Sequence, residues 1–113
     1  MYIPKHFKKK DPEVAYELIR REPFATLLVQ NQEGVLGSHL PLLLDLAGNE
    51  PKLVGHMSRS NPQWKLLEQG KEVLIVFHGP HAYISPKWYE ENDVPTWNYA
   101  VVHVHGRVKA YET

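Results

Sequence analysis

The stretch Thr96 to Tyr111 reads TWNYAVVHVHGRVKAY and alternates along its whole length. Asn98, Ala100, Val102, Val104, Gly106 and Val108 share one parity and are mostly small and apolar. Trp97, Tyr99, Val101, His103, His105 and Arg107 share the other. A period of two marks a β-strand with one face on a core. The first set is taken as the core face. The second, aromatic and imidazole, fits a ligand or a subunit interface better than plain solvent, because Trp, Tyr and Arg are enriched in interfaces.

Outward from this strand, the polar residues 86–95 read as a loop anchored by Trp88 and Tyr89. Val73 to His78 (VLIVFH) is continuously apolar, as a fully buried strand would be. Gly79-Pro80 is expected to break it, with a further strand over His81 to Ser85. Lys52 to His56 reads as a strand. Phe24 to Val29 and Val35 to Leu44 read as a hairpin joined by turn residues Asn31 to Gly34. Pro41 cannot donate to a ladder, so its strand is an edge or is broken there. Asp11-Pro12 opens one helix and Asn61-Pro62 another, each with a capping side chain followed by a proline at the first turn. Val14/Leu18 and Ala15/Ile19 are i,i+4 pairs on the first helix, which ends before Pro23. About six strands and two short helices make a mainly β domain, expected to close or nearly close into a barrel that leaves few edges bare.

The chain has 113 residues, the size of one domain. With 42% apolar and 23% charged residues it belongs to the globular class rather than the disordered one. Thirteen basic residues balance thirteen acidic ones, which argues against a dedicated nucleic-acid binder. The basic cluster of Lys5, Lys8, Lys9 and Lys10 fits a solvated end. The absence of cysteine excludes disulfides and thiolate metal sites. MYIPKHFKKK is not followed by an apolar secretory core, and no apolar run reaches the ~20 residues of a membrane span. A cytoplasmic protein without membrane contact is the expectation.

The candidate site is Gly55 to Trp64, GHMSRSNPQW. Ser58, Arg59, Ser60 and Asn61 fall where a strand hands over to a helix N-terminus. Free backbone N–H groups and the positive end of the helix dipole gather there. Two hydroxyls, an amide and a guanidinium suit a phosphate, with Arg59 able to make a bidentate contact. The same residues also suit an ordinary capped helix with a surface arginine. His39, two residues before Pro41, sits where a ligand can replace a strand partner, although a packed or exposed imidazole is the commoner outcome. Other constellations are weaker. His103 and His105 share a strand face, and His78 and His81 flank Gly79-Pro80, but no third ligand stands near, so no metal centre is expected. No Gly-x-Ser-x-Gly elbow, Walker motif or Gly-x-Gly-x-x-Gly occurs, and no residue stands out as catalytic.

Taken in order, HLPLLLD, GHMSRSNPQW, VFHGPHAYISPKWY and PTWNYAVVHVHGRV resemble the PaiB-like family of FMN-binding negative transcriptional regulators. The resemblance runs over nearly the whole chain. It implies a six-stranded split barrel of the flavin-binding type, forming a homodimer with FMN at the subunit interface. It implies that Ser58, Arg59 and Asn61 hold the FMN phosphate, and that His39, His56 and Met57 lie near the flavin ring or ribityl chain. Tyr83 and Ser85 are carried over by motif position only. Family members are usually longer, so residues 1–113 correspond to one FMN-binding domain without the family's C-terminal part. The neutral charge and the lack of a DNA-reading helix imply that regulation runs through a partner rather than direct DNA reading. The alternative is a flavin-dependent oxidoreductase acting on a small molecule.

Overall fold

The structure, a computed structural model, describes residues 11–84 and 96–111. Helix α1 spans Pro12–Arg21. It starts where the sequence says: Asp11 Oδ1 accepts from the Glu13 N–H at 3.0 Å, and Pro12 occupies the first turn. Ile19 is buried and Leu18 packs against the core, whereas Val14 is exposed. At the C-terminal end, Arg20 and Arg21 lie in the last turn, and Arg21 pairs with Glu17 at 2.6 Å.

Strands β1 (Phe24–Asn31) and β2 (Gly34–Pro41) form the expected antiparallel hairpin. Its turn is held by Asn31 Oδ1, which accepts from the Glu33 N–H at 2.8 Å, and by Gly34 at φ 139°, a value that only glycine adopts readily. The run Val35 to Leu44 is broken at Pro41, as the proline allowed, and β2 is also an edge strand. The Leu42 N–H donates to the Pro23 carbonyl at 2.9 Å, which draws the chain out of the ladder after Pro41. Beyond this exit, β3 (Leu43–Asp45) pairs with β4 (Lys52–Val54).

Helix α2 covers Gln63–Leu67. Strand β5 (Glu72–Ile84) then pairs with β6 (Thr96–Arg107). β5 corrects the expectation of a break at Gly79-Pro80: the strand continues, with a bulge between His78 and His81. The interrupting local signal is overridden by cross-strand pairs on both sides of it, from Glu72↔Arg107 to Ile84↔Thr96.

The described strands make an antiparallel sheet in the order β2-β1-β5-β6 and a two-stranded β3-β4 ribbon. The protein is mainly β, as expected, but these strands do not close into one barrel. The core lies on the inner face of the large sheet. Ala25, Leu27 and Val29 of β1 and Val73, Ile75 and Phe77 of β5 are buried there with Leu40, Leu42 and Leu67. Val102, Val104 and Val108 pack on the same side, as the alternation of the last strand predicts, while Asn98 and Ala100 are exposed. Both helices lie on this face, α2 against β1 and β2, α1 against β3, β5 and β6.

The outer face has no layer over it among the described residues. It carries Phe24 and Thr26 of β1, Val35 and His39 of β2, Val76 and His78 of β5, and Val101, His103 and His105 of β6. Phe24 and Val35 are each 65% exposed, far more than isolated packing of such side chains would leave.

Candidate functional site

The Ser58–Asn61 segment forms a compact turn leading into α2. Ser58 Oγ accepts from the Ser60 N–H at 3.1 Å, and the Asn61 N–H donates to the Ser58 carbonyl at 3.0 Å. Trp64 Nε1–H donates to the Arg59 carbonyl at 2.9 Å, so the indole fixes the crest of the turn. Ser58, Arg59 and Ser60 are exposed there.

Asn61 binds in two directions. Its Oδ1 accepts from the Gln63 N–H at 3.0 Å, and its Nδ2 donates to Ser38 Oγ at 2.8 Å. The first contact closes a turn just ahead of the helix rather than capping it as the sequence suggested: α2 begins only at Gln63, and Pro62, with no side-chain cap, takes the N-cap position. The second ties the turn to edge strand β2.

Gln63 is a residue that the sequence reading missed. It is 1% exposed, and its Nε2 donates to the Leu27 carbonyl at 3.2 Å and the Leu36 carbonyl at 3.0 Å. Both partners can only accept, so the amide nitrogen must face them. Its Oε1 is buried without a partner. One side chain thus clamps α2 onto both strands of the hairpin. The available signal was spacing: Gln63 and Leu67 are i,i+4 and share the inward face of the helix.

The other expected residues distribute as follows. Met57 packs against the core and His56 is exposed. Gly55 is pressed against β2, since a Cβ there would meet Leu42 Cδ2 at 2.7 Å and the Pro41 carbonyl at 2.9 Å. His39 lies on the outer face, opposite to Ser38, because consecutive strand residues point to opposite sides. Its Nδ1 is 3.0 Å from Thr26 Oγ1 and its ring stacks on Phe24 with centroids 6.3 Å apart. The Ser58–Asn61 turn and His39 are therefore not on one face; edge strand β2 separates them. Tyr83 lies in β5, in register with Trp97. Ser85 falls outside the described residues.

Two open concavities occur away from the turn. One, of about 380 Å³, lies by Gln30, Asn31 and Lys71; the other, of about 350 Å³, lies on the outer face beside the β5 bulge. Within the second, the His103 imidazole is held below its ordinary pKa. Burial is the main cause, and the nearby imidazoles of His105 and His78 add to it. No described helix is long and apolar enough to cross a membrane.

Over residues 1–113 the chain matches a family model described as "Putative FMN-binding domain". It is 39% identical over 112 residues to the Protease synthase and sporulation protein PAI 2 of Bacillus subtilis, covering 99% of this chain and 54% of that protein. An uncharacterised protein of Saccharomyces cerevisiae is 32% identical over 94% of this chain and 76% of its own length. One of Emericella nidulans is 32% identical over 98% of this chain and 57% of its own. The chain spans about half the length of the bacterial relative. These matches bear out the resemblance read from the motifs: the chain is similar to PAI 2 and belongs to the FMN-binding domain family whose model it matches, and FMN is the cofactor that membership assigns to it.

Proposed function

We propose that residues 1–113 form a split-barrel domain that binds FMN at the Ser58–Asn61 turn and acts as a negative transcriptional regulator through a partner. The donor set of the turn carries this reading. Ser58 Oγ accepts from the Ser60 N–H, which leaves its own O–H to donate outward. The Ser60 hydroxyl and the Arg59 guanidinium are exposed beside it. These groups match a phosphate in charge and in hydrogen-bonding sense. Asn61, already bonded to Gln63 and Ser38, holds the turn against β2 and so sets where those donors point.

When bound, FMN would supply reversible redox chemistry. In this reading, the chain's own groups bind and orient it. A ligand held at the turn and reaching His39 passes over edge strand β2, beyond which Thr26 and Phe24 fix the imidazole. His56 and Met57 flank the turn, and Tyr83 and Ser85 join the site by motif position. The turn is open to solvent, and the outer face exposes Phe24 and Val35. A second copy of the chain would cover both, which supports a homodimer with FMN at its interface. The regulatory role rests on the family resemblance and on a relative named for protease synthesis and sporulation. Zero net charge favours a partner over direct DNA contact, and a regulator of this kind works in the cytoplasm.

The test is a visible absorption spectrum after FMN is added and the protein is passed through gel filtration. Flavin bands eluting with a dimer support the reading; colourless protein refutes it. A gel shift at low salt separates direct from indirect regulation, because phosphate contacts are strongest there. One observation favours a second reading, a flavin-dependent oxidoreductase: the His39 imidazole, a side-chain type often used as a general acid or base, is oriented by Thr26. Anaerobic mixing with NADH or NADPH that never bleaches the flavin would sink a nicotinamide-linked version of it.

A further inference from the structure

The β5 bulge builds a second cluster, separate from the turn. His78 pairs with Val101 and His81 with Tyr99, so Gly79 and Pro80 together oppose Ala100. In a regular strand, residues three apart point to opposite faces. The extra residue restores His81 to the face of His78, which is how a bulge re-aims a side chain. The inner side of the bulge is closed: a Cβ on Gly79 would lie 2.9 Å from Leu18 Cδ1 and 3.1 Å from the Ala100 carbonyl. The imidazoles are thus held outward by packing behind them. His78, His81, His103 and Tyr99 surround the concavity of about 350 Å³, with Val76 and Val101 in its lining.

We propose that this concavity is a binding site for a small organic carboxylate, its acid group on the imidazoles and its apolar body over Val76, Val101 and the Tyr99 ring. Among the described residues, no carboxylate lines it. Among the titratable and charged groups facing it, β5 contributes His78 and His81, with Glu72 further along. β6 contributes Tyr99 and His103, with His105 and Arg107 further along. From β1 come Thr26 and Leu28, which are uncharged, and beyond β1 lies His39 of β2. Glu72 stands 3.7 Å from His105, and Arg107 donates to the Gly70 carbonyl, so both are engaged at the other end of the strand pair.

The chemistry selects the ligand. No group of three metal-binding side chains occurs among the described residues. A phosphate would leave the apolar wall unused. A monoanion with an apolar body uses both parts, and the volume lies in the range of small-molecule sites. His103 resists protonation in the empty site, through burial and through its imidazole neighbours. A bound carboxylate supplies the missing countercharge, so binding takes up a proton. Affinity therefore rises as pH falls through the imidazole range, up to about tenfold per unit for one proton, and drops again once the ligand acid itself protonates near pH ~4.

Benzoate is a suitable probe, followed on the full chain by calorimetry and by imidazole resonances in NMR. Millimolar benzoate is expected to shift the His78, His81 and His103 signals, with tighter binding at about pH 6 than at about pH 7.5. His103→Gln should remove most of that pH dependence while Tm at about pH 7.5 is retained. The neutral isostere benzamide should show no such dependence. Benzoate binding that ignores pH, or that leaves these signals unmoved, overturns the proposal. So does displacement of benzoate by FMN, which would make the concavity part of the flavin site. The Ser58–Asn61 turn meets the sheet through Ser38, on its inner side. FMN binding without any benzoate effect would therefore refute this inference alone and leave the flavin reading intact.

Discussion

Gln63 is where a small chemical change tests how the site is held. Its amide donates to two main-chain carbonyls on adjacent strands while its Oε1 has no partner. Two neutral hydrogen bonds contribute about 1 kcal/mol each, and a buried orphan acceptor costs about 1–3 kcal/mol. Gln63→Met keeps the volume, loses both bonds and also loses the orphan, so the two effects largely offset and the net change should be at most about 1 kcal/mol. Gln63→Ala adds a cavity of more than a methyl group and should cost about 1 kcal/mol more than Met. Gln63→Glu differs in sign of charge: at pH 7.5 a buried carboxylate would face two carbonyl oxygens with no donor, a cost of about 3–5 kcal/mol. The carboxyl pKa would therefore be raised in the folded state. Protonation restores one donor, so the Glu variant should regain stability as pH falls toward about 5. Urea unfolding followed by tryptophan fluorescence gives the series Met, then Ala, then Glu in order of increasing loss. If the Glu variant is as stable as the parent at pH 7.5, the clamp assignment is wrong. If Met, Ala and Glu lose equally and without pH dependence, the amide donors have no special role.

Four further outcomes follow from the same geometry. Arg59→Ala should weaken FMN binding by about 1.5–3 kcal/mol, roughly 10- to 150-fold in Kd by fluorescence titration. Asn61→Ala removes the tie to Ser38 and the turn bond to Gln63; it should lower both stability, by about 1–2 kcal/mol, and FMN affinity, read in parallel by melting and titration. Gly55→Ala forces a Cβ to 2.9 Å from the Pro41 carbonyl and should destabilise by about 1–3 kcal/mol in urea. His103 has a depressed folded-state pKa, so the unfolded chain takes up its proton first as pH falls below about 6.5. Stability from this group is complete above that value and lost below it, and His103→Gln should flatten the acid side of the Tm profile.

Much of the fold was legible because its signals are local. Asp11-Pro12 starts α1 through a bond spanning two residues, and Asn31 with Gly34 closes the β1–β2 turn in the same short range. The alternation of Thr96 to Arg107 identified the inward valines correctly. Where the reading failed or stayed open, a distant partner decided. Gly79-Pro80 is a strong breaker taken alone, yet β6 pairs with β5 on both sides of it. At Pro41 the sequence left an edge or a break open, and the break follows because Pro23 captures the Leu42 N–H from outside the run. Gln63 reads as an ordinary polar helix residue, because its partners lie 36 and 27 positions away.

Read alone, the residue order establishes a mainly β domain, the motifs that mark it as FMN-binding, and the turn that offers phosphate-type donors. Composition, period and motif order are properties of neighbours along the chain, so they can be read from it directly. The tertiary structure decided that His39 and Ser38 serve opposite faces across an edge strand. It also decided that Gln63 clamps the turn, and that a bulge gathers His78, His81 and His103 around one concavity. Each of these depends on strand register, and register is set by which long-range pairs bury the most apolar surface while satisfying the backbone.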